Sequence, residues 1–360
     1  MERIDAGDFP SAVYLVAEKG VIAFKGALGL AVVEPERIGA TLDTIYDLAS
    51  LTKVLVTTLL IAKIIESKDI APDETLASRL PEFDIADKRD ITIRNLLLHN
   101  SGFRGWLPFY LLTDDKSGIL RVIAAEPLEN TIGTKVVYSD LNFLVLTSLI
   151  EQVYGRPFDA LARTEIFEPI GLKETFFNPP DQFRRRIAAS EKGNEFEKKT
   201  CVDLGYEIPN RPSPFRNEVI WGEVHDCNCH FMDGVSGHAG LFSTAVETFR
   251  IAQQFLAAET VLLKPETCGL FRTNFTQGLN EARSIGFQLA YTPESTASAA
   301  LAGDSFGHLG FTGTSVWIEP ETERVFILLT NRTHAHGLPF VLLNSVRRKF
   351  HELAVAALGE

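Results

Sequence analysis

The chain has 360 residues, 45% hydrophobic and 23% charged, with 47 acidic against 35 basic side chains and a formal net charge of −12. Such a composition belongs to a globular protein with ample core volume, and four cysteines are too few to make it a disulfide scaffold. It also argues against a nucleic-acid partner, because the one conspicuous basic run, FRRR at 183–186, reads as a solvated face.

The N-terminus carries Glu2, Arg3 and Asp5 and has no apolar stretch before Pro10, so as given it lacks a secretory signal. The expectation is a cytoplasmic protein, or a periplasmic or extracellular one whose export peptide has been removed. No apolar run is long enough to span a bilayer. Residues 12–18 and 21–29 are β-rich runs joined at Lys19-Gly20, which predicts a hairpin.

The next segment, YDLASLTKVLVTTLL at 46–60, places Leu55, Leu59 and Ala62 at helical spacing and carries Ser50 and Lys53 one turn apart. Residues three apart share a helix face, so the hydroxyl and the amine can approach each other. A lysine withdrawn from water has a lowered pKa and can then take a proton from a nearby hydroxyl. The plainer alternative is a helix cap at Ser50, with Lys53 reaching out to water.

Helical patterns follow at 91–99, 141–153 and 245–258, the last opened by a capping-box signature at Thr244 and Glu247. Residues 178–220, rich in proline and charge, read as an extended surface excursion. Cys227 and Cys229, flanked by His225 and His230, invite a zinc reading, yet no second Cys/His cluster completes a clip, so no metal is expected. Strand character returns at 284–292, 307–320 and 324–332, and residues 339–358 form an amphipathic helix. The expected fold is α+β. An antiparallel sheet is built from both ends of the chain (1–75 and 280–360) and flanked by helices, with a mostly helical region (76–279) inserted.

Three elements stand in order: SLTK at 50–53, YSD at 138–140 and HLG at 308–310. The set resembles the serine β-lactamase and penicillin-binding-protein superfamily, most closely the class C β-lactamase-like branch with its esterases and D-amino-acid peptidases. ITIRNLLLHNSGF (91–103) and GVSGHAGLFSTA (234–245) are similar to further segments of that branch, so the resemblance runs from about Phe9 to Arg332. It implies a serine acyl hydrolase without cofactor. Ser50 is then the nucleophile, Lys53 the base, and Tyr138 the residue that passes the proton to the leaving group. The N–H groups of Ser50 and Phe311 form the oxyanion hole, and Asp140, His308, Leu309 and Gly310 line the substrate site.

Two departures bear on the substrate, expected to be a small ester, amide or peptide. Asp140 stands where asparagine is usual; as a carboxylate it accepts hydrogen bonds but cannot donate them, and it pairs with Lys53, raising the lysine's pKa. His308 replaces a lysine and weakens the positive field above pH 7, which favours neutral esters or amides unless Arg332 or Arg104 restores the charge. His225, Asp226 and His238 are polar candidates in the loop bordering the pocket. The alternatives are a true β-lactamase or DD-carboxypeptidase and, from another class, a non-catalytic binder of peptidoglycan fragments.

Overall fold

The computed structural model describes residues 1–209 and 213–359. Nine strands are β1 (Ser11–Glu18), β2 (Val21–Val32), β3 (Ile38–Gly39), β4 (Tyr46–Asp47), β5 (Phe242–Ser243), β6 (Gln288–Leu289), β7 (Phe306–Leu309), β8 (Ser315–Glu319) and β9 (Arg324–Thr330). Seven of them form one antiparallel sheet in the order β3-β2-β1-β9-β8-β7-β6, while β4 and β5 pair separately. The N-terminal hairpin is thus zipped to the C-terminal strands along β1 and β9, in a register that sets Ala12 opposite Thr330 and Glu18 opposite Arg324.

β1 shows why the sheet closes here. Val13, Leu15 and Ala17 face the main core and Val16 faces the other side, as the two-residue period of a strand requires. Burying each of the larger side chains is worth about 1.5–3 kcal/mol. One face receives the helix that follows Ser50, through Val54, Leu55 and Leu59. The other is covered by the helix Asn344–Leu358, whose Ala354 packs with Val16, Trp317 and Phe326. This is the expected α+β arrangement.

Differences from expectation are local. The run 307–320 is two strands, β7 and β8, hinged at residues 310–314, and of 284–292 only Gln288–Leu289 is strand. Thr244 Oγ1 accepts from Glu247 N at 3.2 Å, but the Glu247 carboxylate turns to Lys173 N, Glu174 N and Thr175 Oγ1, so half of the capping box forms. The 178–220 excursion, of which residues 210–212 lie outside the described residues, contains the helix Glu195–Asp203 and sends Phe196 and Glu197 to the wall of the main cavity. Among the described residues no helix is long and apolar enough to cross a membrane.

Candidate active site

Ser50 sits in the turn between β4 and the helix. The turn is tight, with Ala49 in the left-handed region at φ 49°, and the Asp47 carboxylate steadies it by accepting from Ala49 N and His225 N, each at 2.8 Å. Lys53 begins a π-helical segment, Lys53–Thr58, that runs on as the α-helix Leu59–Ser67. A wide turn of this kind often marks a functional site.

Lys53 is fully buried, so it neither reaches out to water nor leaves Ser50 as a mere cap. Its Nζ donates to Ser50 Oγ at 3.0 Å and to the His238 carbonyl at 2.8 Å, and it lies 2.7 Å from Asp140 Oδ1. Burial alone would lower its pKa, but the Asp140 carboxylate and the Tyr138 hydroxyl outweigh burial and raise it. The lowered pKa expected from the apolar surroundings is therefore corrected. Lys53 is an ammonium at rest, as the pairing with Asp140 foretold.

Tyr138 precedes the helix Asp140–Tyr154, and its ring centroid is 5.1 Å from Lys53 Nζ. Its pKa is raised, chiefly by burial, against the pull of Lys53 and of hydrogen bonding towards Lys53 and Ser50. His99 holds this tyrosine from both sides. Its carbonyl accepts from Val137 N at 2.8 Å, its Nδ1 accepts from Ser139 N at 3.0 Å, and its ring packs on Tyr138 with centroids 4.8 Å apart. His99 lies in the segment similar to the family's, but nothing in the sequence gave it this task.

The third predicted element is the end of β7 and the turn after it. Thr312 and Thr314 bind this turn to the nucleophile's own segment, donating to Asp47 O at 2.8 Å and Leu48 O at 3.0 Å. Gly310 is demanded by this closeness, for a Cβ there would meet Leu48 O at 2.6 Å and overlap Thr314 Oγ1. Gly310 also lines the main cavity. Among the described residues, neither Ser50 N nor Phe311 N donates to a backbone carbonyl.

A cavity of about 710 Å³ joins these parts; Ser50, Tyr138, Asp140, His308, Leu309 and Phe311 all line it. His308 is buried, and its pKa falls well below the usual value through burial and the nearby Arg283 and Lys53 charges. It is neutral below pH 7 as well as above, which corrects the expectation drawn from the sequence. The cation beside it is Arg283, a lone residue that no sequence signal marks. Its side chain is 5% exposed, its Nε is 2.6 Å from Glu281 Oε1, and its buried Nη1 has no partner. Arg104 is spoken for by Glu126 and Glu129, while Arg332 gives its N–H groups to the carbonyls of Phe311 and Val341.

His225 and Asp226 line the cavity, and His238 lies buried behind them. His225 Nε2 is 2.8 Å from Glu191 Oε2, and His238 bridges Asp226 (3.0 Å) and Ser236 (2.6 Å). Ligand atoms of Asp140, Asp226 and His238 lie within 4.8 Å of one another, but the cation already serving Asp140 is the Lys53 ammonium. Cys227 and Cys229 are buried free thiols, and their flanking histidines do not converge with them: His225 turns to Glu191, and His230 lies 3.5 Å from Glu223.

A serine hydroxyl, a buried ammonium, a phenol and two free amides around one cavity are the groups that a serine acyl hydrolase requires. The Beta-lactamase family model matches residues 1–342, and the chain belongs to that family. It is 31% identical to an Escherichia coli protein provisionally named D-alanyl-D-alanine carboxypeptidase, over 93% of this chain and 81% of that one. It is 30% identical to an N-acetylmuramyl-L-alanine amidase of Bacillus subtilis, over 93% of this chain and 80% of the other. Among solved structures, EstCE1, a hydrolase with promiscuous acyltransferase activity, shares the fold with a TM-score of 0.73 at 23% identity, covering 97% of this chain and 95% of that one.

Proposed function

We propose that the protein hydrolyses small amides or esters through an acyl-enzyme at Ser50, and that its preferred substrates carry a carboxylate, as peptides ending in a D-amino acid do. The observation that carries the first part is the 3.0 Å contact between Lys53 Nζ and Ser50 Oγ inside the cavity. Because Asp140 keeps Lys53 protonated, the proton-accepting role passes to Tyr138, whose phenolate the ammonium favours. In its deprotonated form, the minor one given its raised pKa, the Tyr138 phenolate takes the Ser50 proton as Oγ attacks, and the phenol so formed then delivers that proton to the leaving group. Water attacks the acyl-enzyme by the same route in reverse. The amides of Ser50 and Phe311 receive the developing oxyanion, a contribution worth about 2.7–4 kcal/mol for one donor in comparable enzymes.

The carboxylate preference rests on Arg283. A buried guanidinium with an unpartnered N–H beside a neutral His308 supplies the cation that His308 does not. The name of the E. coli relative accords with such substrates. Mass spectrometry after fluorophosphonate treatment tests the chemistry, with one adduct expected at Ser50. An unmodified protein would mean a binder without catalysis. A panel of D-aminoacyl peptides, their methyl esters, p-nitrophenyl esters and β-lactams tests the substrate, and turnover confined to the methyl and p-nitrophenyl esters, which carry no carboxylate, would overturn the preference.

A further inference from the structure

Beside the turn that carries Phe311, on the wall of the same cavity, lie two arginines that the chemistry above does not use. Arg347, on the helix Asn344–Leu358, is 4% exposed. One of its nitrogens, Nη2, donates to Gly310 O at 3.4 Å and to Thr314 O at 3.1 Å. Arg332, just beyond β9, donates from Nε to Phe311 O at 2.7 Å, and its guanidinium carbon lies 5.0 Å from the Phe311 ring centroid. Among the described residues no carboxylate lies within ion-pair distance of either guanidinium. Burial depresses both pKa values, and the Arg332 charge further depresses that of Arg347, to about 9.

Burying two cations without a counter-ion is costly unless hydrogen bonds or a function offset it. Their contacts fall on one place. Gly310 O is the carbonyl of the peptide unit whose N–H is Phe311 N, and Phe311 O belongs to the next unit. A cation donating to a carbonyl draws electron density through the peptide and makes its N–H a stronger donor, as hydrogen bonds in a chain polarise one another. The pair also fixes the turn at its carbonyls while Thr312 and Thr314 fix it from the Ser50 side.

We infer that Arg347 and Arg332 are positioning residues of the oxyanion hole: Arg347 orients and polarises the Gly310–Phe311 peptide, and Arg332 holds the peptide unit that follows it, so that Phe311 N–H meets the negative oxygen formed when Ser50 attacks. No bond to either arginine changes in the reaction. Their effect is confined to the transition state and tetrahedral intermediate, because only then is a full negative charge present at that amide. The inference rests on the reading of Ser50 as nucleophile, and fluorophosphonate labelling of the unaltered protein establishes that separately.

The experiment compares Arg347→Met, Arg347→Lys and Arg332→Lys with the unaltered protein, using a hydrolysed substrate from the panel and an aryl boronic acid that forms a tetrahedral anionic adduct with the serine. Removing an oxyanion donor outright costs about 100- to 1000-fold in kcat, so weakening one should cost R347M about tenfold. KM should stay within about twofold, boronate affinity should fall in step with kcat, and R347K should recover part of both. R332K, at a less buried position, should show a smaller loss of the same kind even if R347M fails to fold. Unchanged kcat and boronate affinity in the variants that fold would overturn the inference. So would a raised KM with kcat intact, which would mean that the arginines hold a substrate anion. Labelled Ser50 with unaffected variants would sink this inference alone; unlabelled Ser50 would sink the reading beneath it.

Discussion

Asp140 Oδ1 stands 2.7 Å from Lys53 Nζ, so the ammonium that donates to Ser50 has a carboxylate at its back. That carboxylate raises the pKa of Lys53 and of Tyr138 alike. Asp140→Asn removes the charge and keeps the shape, so both pKa values should fall. A base active when deprotonated then works at lower pH, and the ascending limb of kcat/KM should move to lower pH with a several-fold gain at neutrality on small esters. A pH–rate profile checks this, and an unmoved limb would remove Asp140 from control of the base.

His99 is left-handed at φ 56°, which asparagine tolerates and leucine does not. His99→Asn should fold yet lose the ring that packs on Tyr138, lowering kcat by about tenfold, the scale of a displaced proton-transfer group. His99→Leu also strands the Ser139 N–H and should cost about 1–3 kcal/mol in urea unfolding. Equal activities for H99N and the unaltered protein would show that the clamp is dispensable.

Arg283→Gln should raise KM by about 10- to 100-fold for carboxylate-bearing substrates, the worth of a charge-assisted hydrogen bond. The matching methyl esters should be almost indifferent to it. A uniform loss on both would assign Arg283 to stability, and steady-state kinetics on the paired substrates separates the two outcomes.

Four buried histidines, His99, His308, His334 and His351, have lowered pKa values, that of His351 falling to about 4. Unfolded, each takes a proton near pH 6.5, so the stability they contribute is present above that value and is lost as pH falls below it. Asp47 and Glu197 act in the opposite sense, since burial raises both, Glu197 to about 8. Burial lowers the pKa of His225, but Glu191 outweighs it and raises it, so this histidine joins Asp47 and Glu197 in gaining stability as pH falls towards 6.5. Four groups against three leave a small net loss, and the melting temperature should drop slightly between pH 7 and pH 5. Calorimetry at these two values tests it, and a flat or rising Tm would contradict the assignment.

What the sequence made legible were the groups whose identity is written locally. Ser50 and Lys53 share a helix turn and are found from their own neighbours, while Tyr138 and His308 stand out only through the ordered motifs of the family resemblance. Arg283, Arg332 and Arg347 owe their place at the cavity to tertiary closure, and His99 owes its grip on Tyr138 to a packing that joins segments some forty residues apart. Lys53 shows the limit from another side. Burial was readable from its apolar neighbours, but the carboxylate that sets the sign of its pKa shift lies eighty-seven positions away (140 minus 53) and came into view only through the family resemblance. The excursion at 178–220 was misread for a related reason: its polar look hid Phe196 and Glu197, which face inward only because the rest of the chain wraps around them.

The pairing of β1 with β9 has a bearing on how the chain comes to be folded at all. β1 finds its inner neighbour, β9, only once synthesis has passed Thr330, roughly three hundred residues later. Until then its apolar side chains have the β2 hairpin alone for shelter, and a two-stranded hairpin is marginal in water. Such a long-range closure is slow and leaves an open edge in the waiting chain. Newly made protein is therefore the natural client of chaperones, and hydrolytic competence arrives last, when the turn bearing Phe311 is finally laid against the segment bearing Ser50.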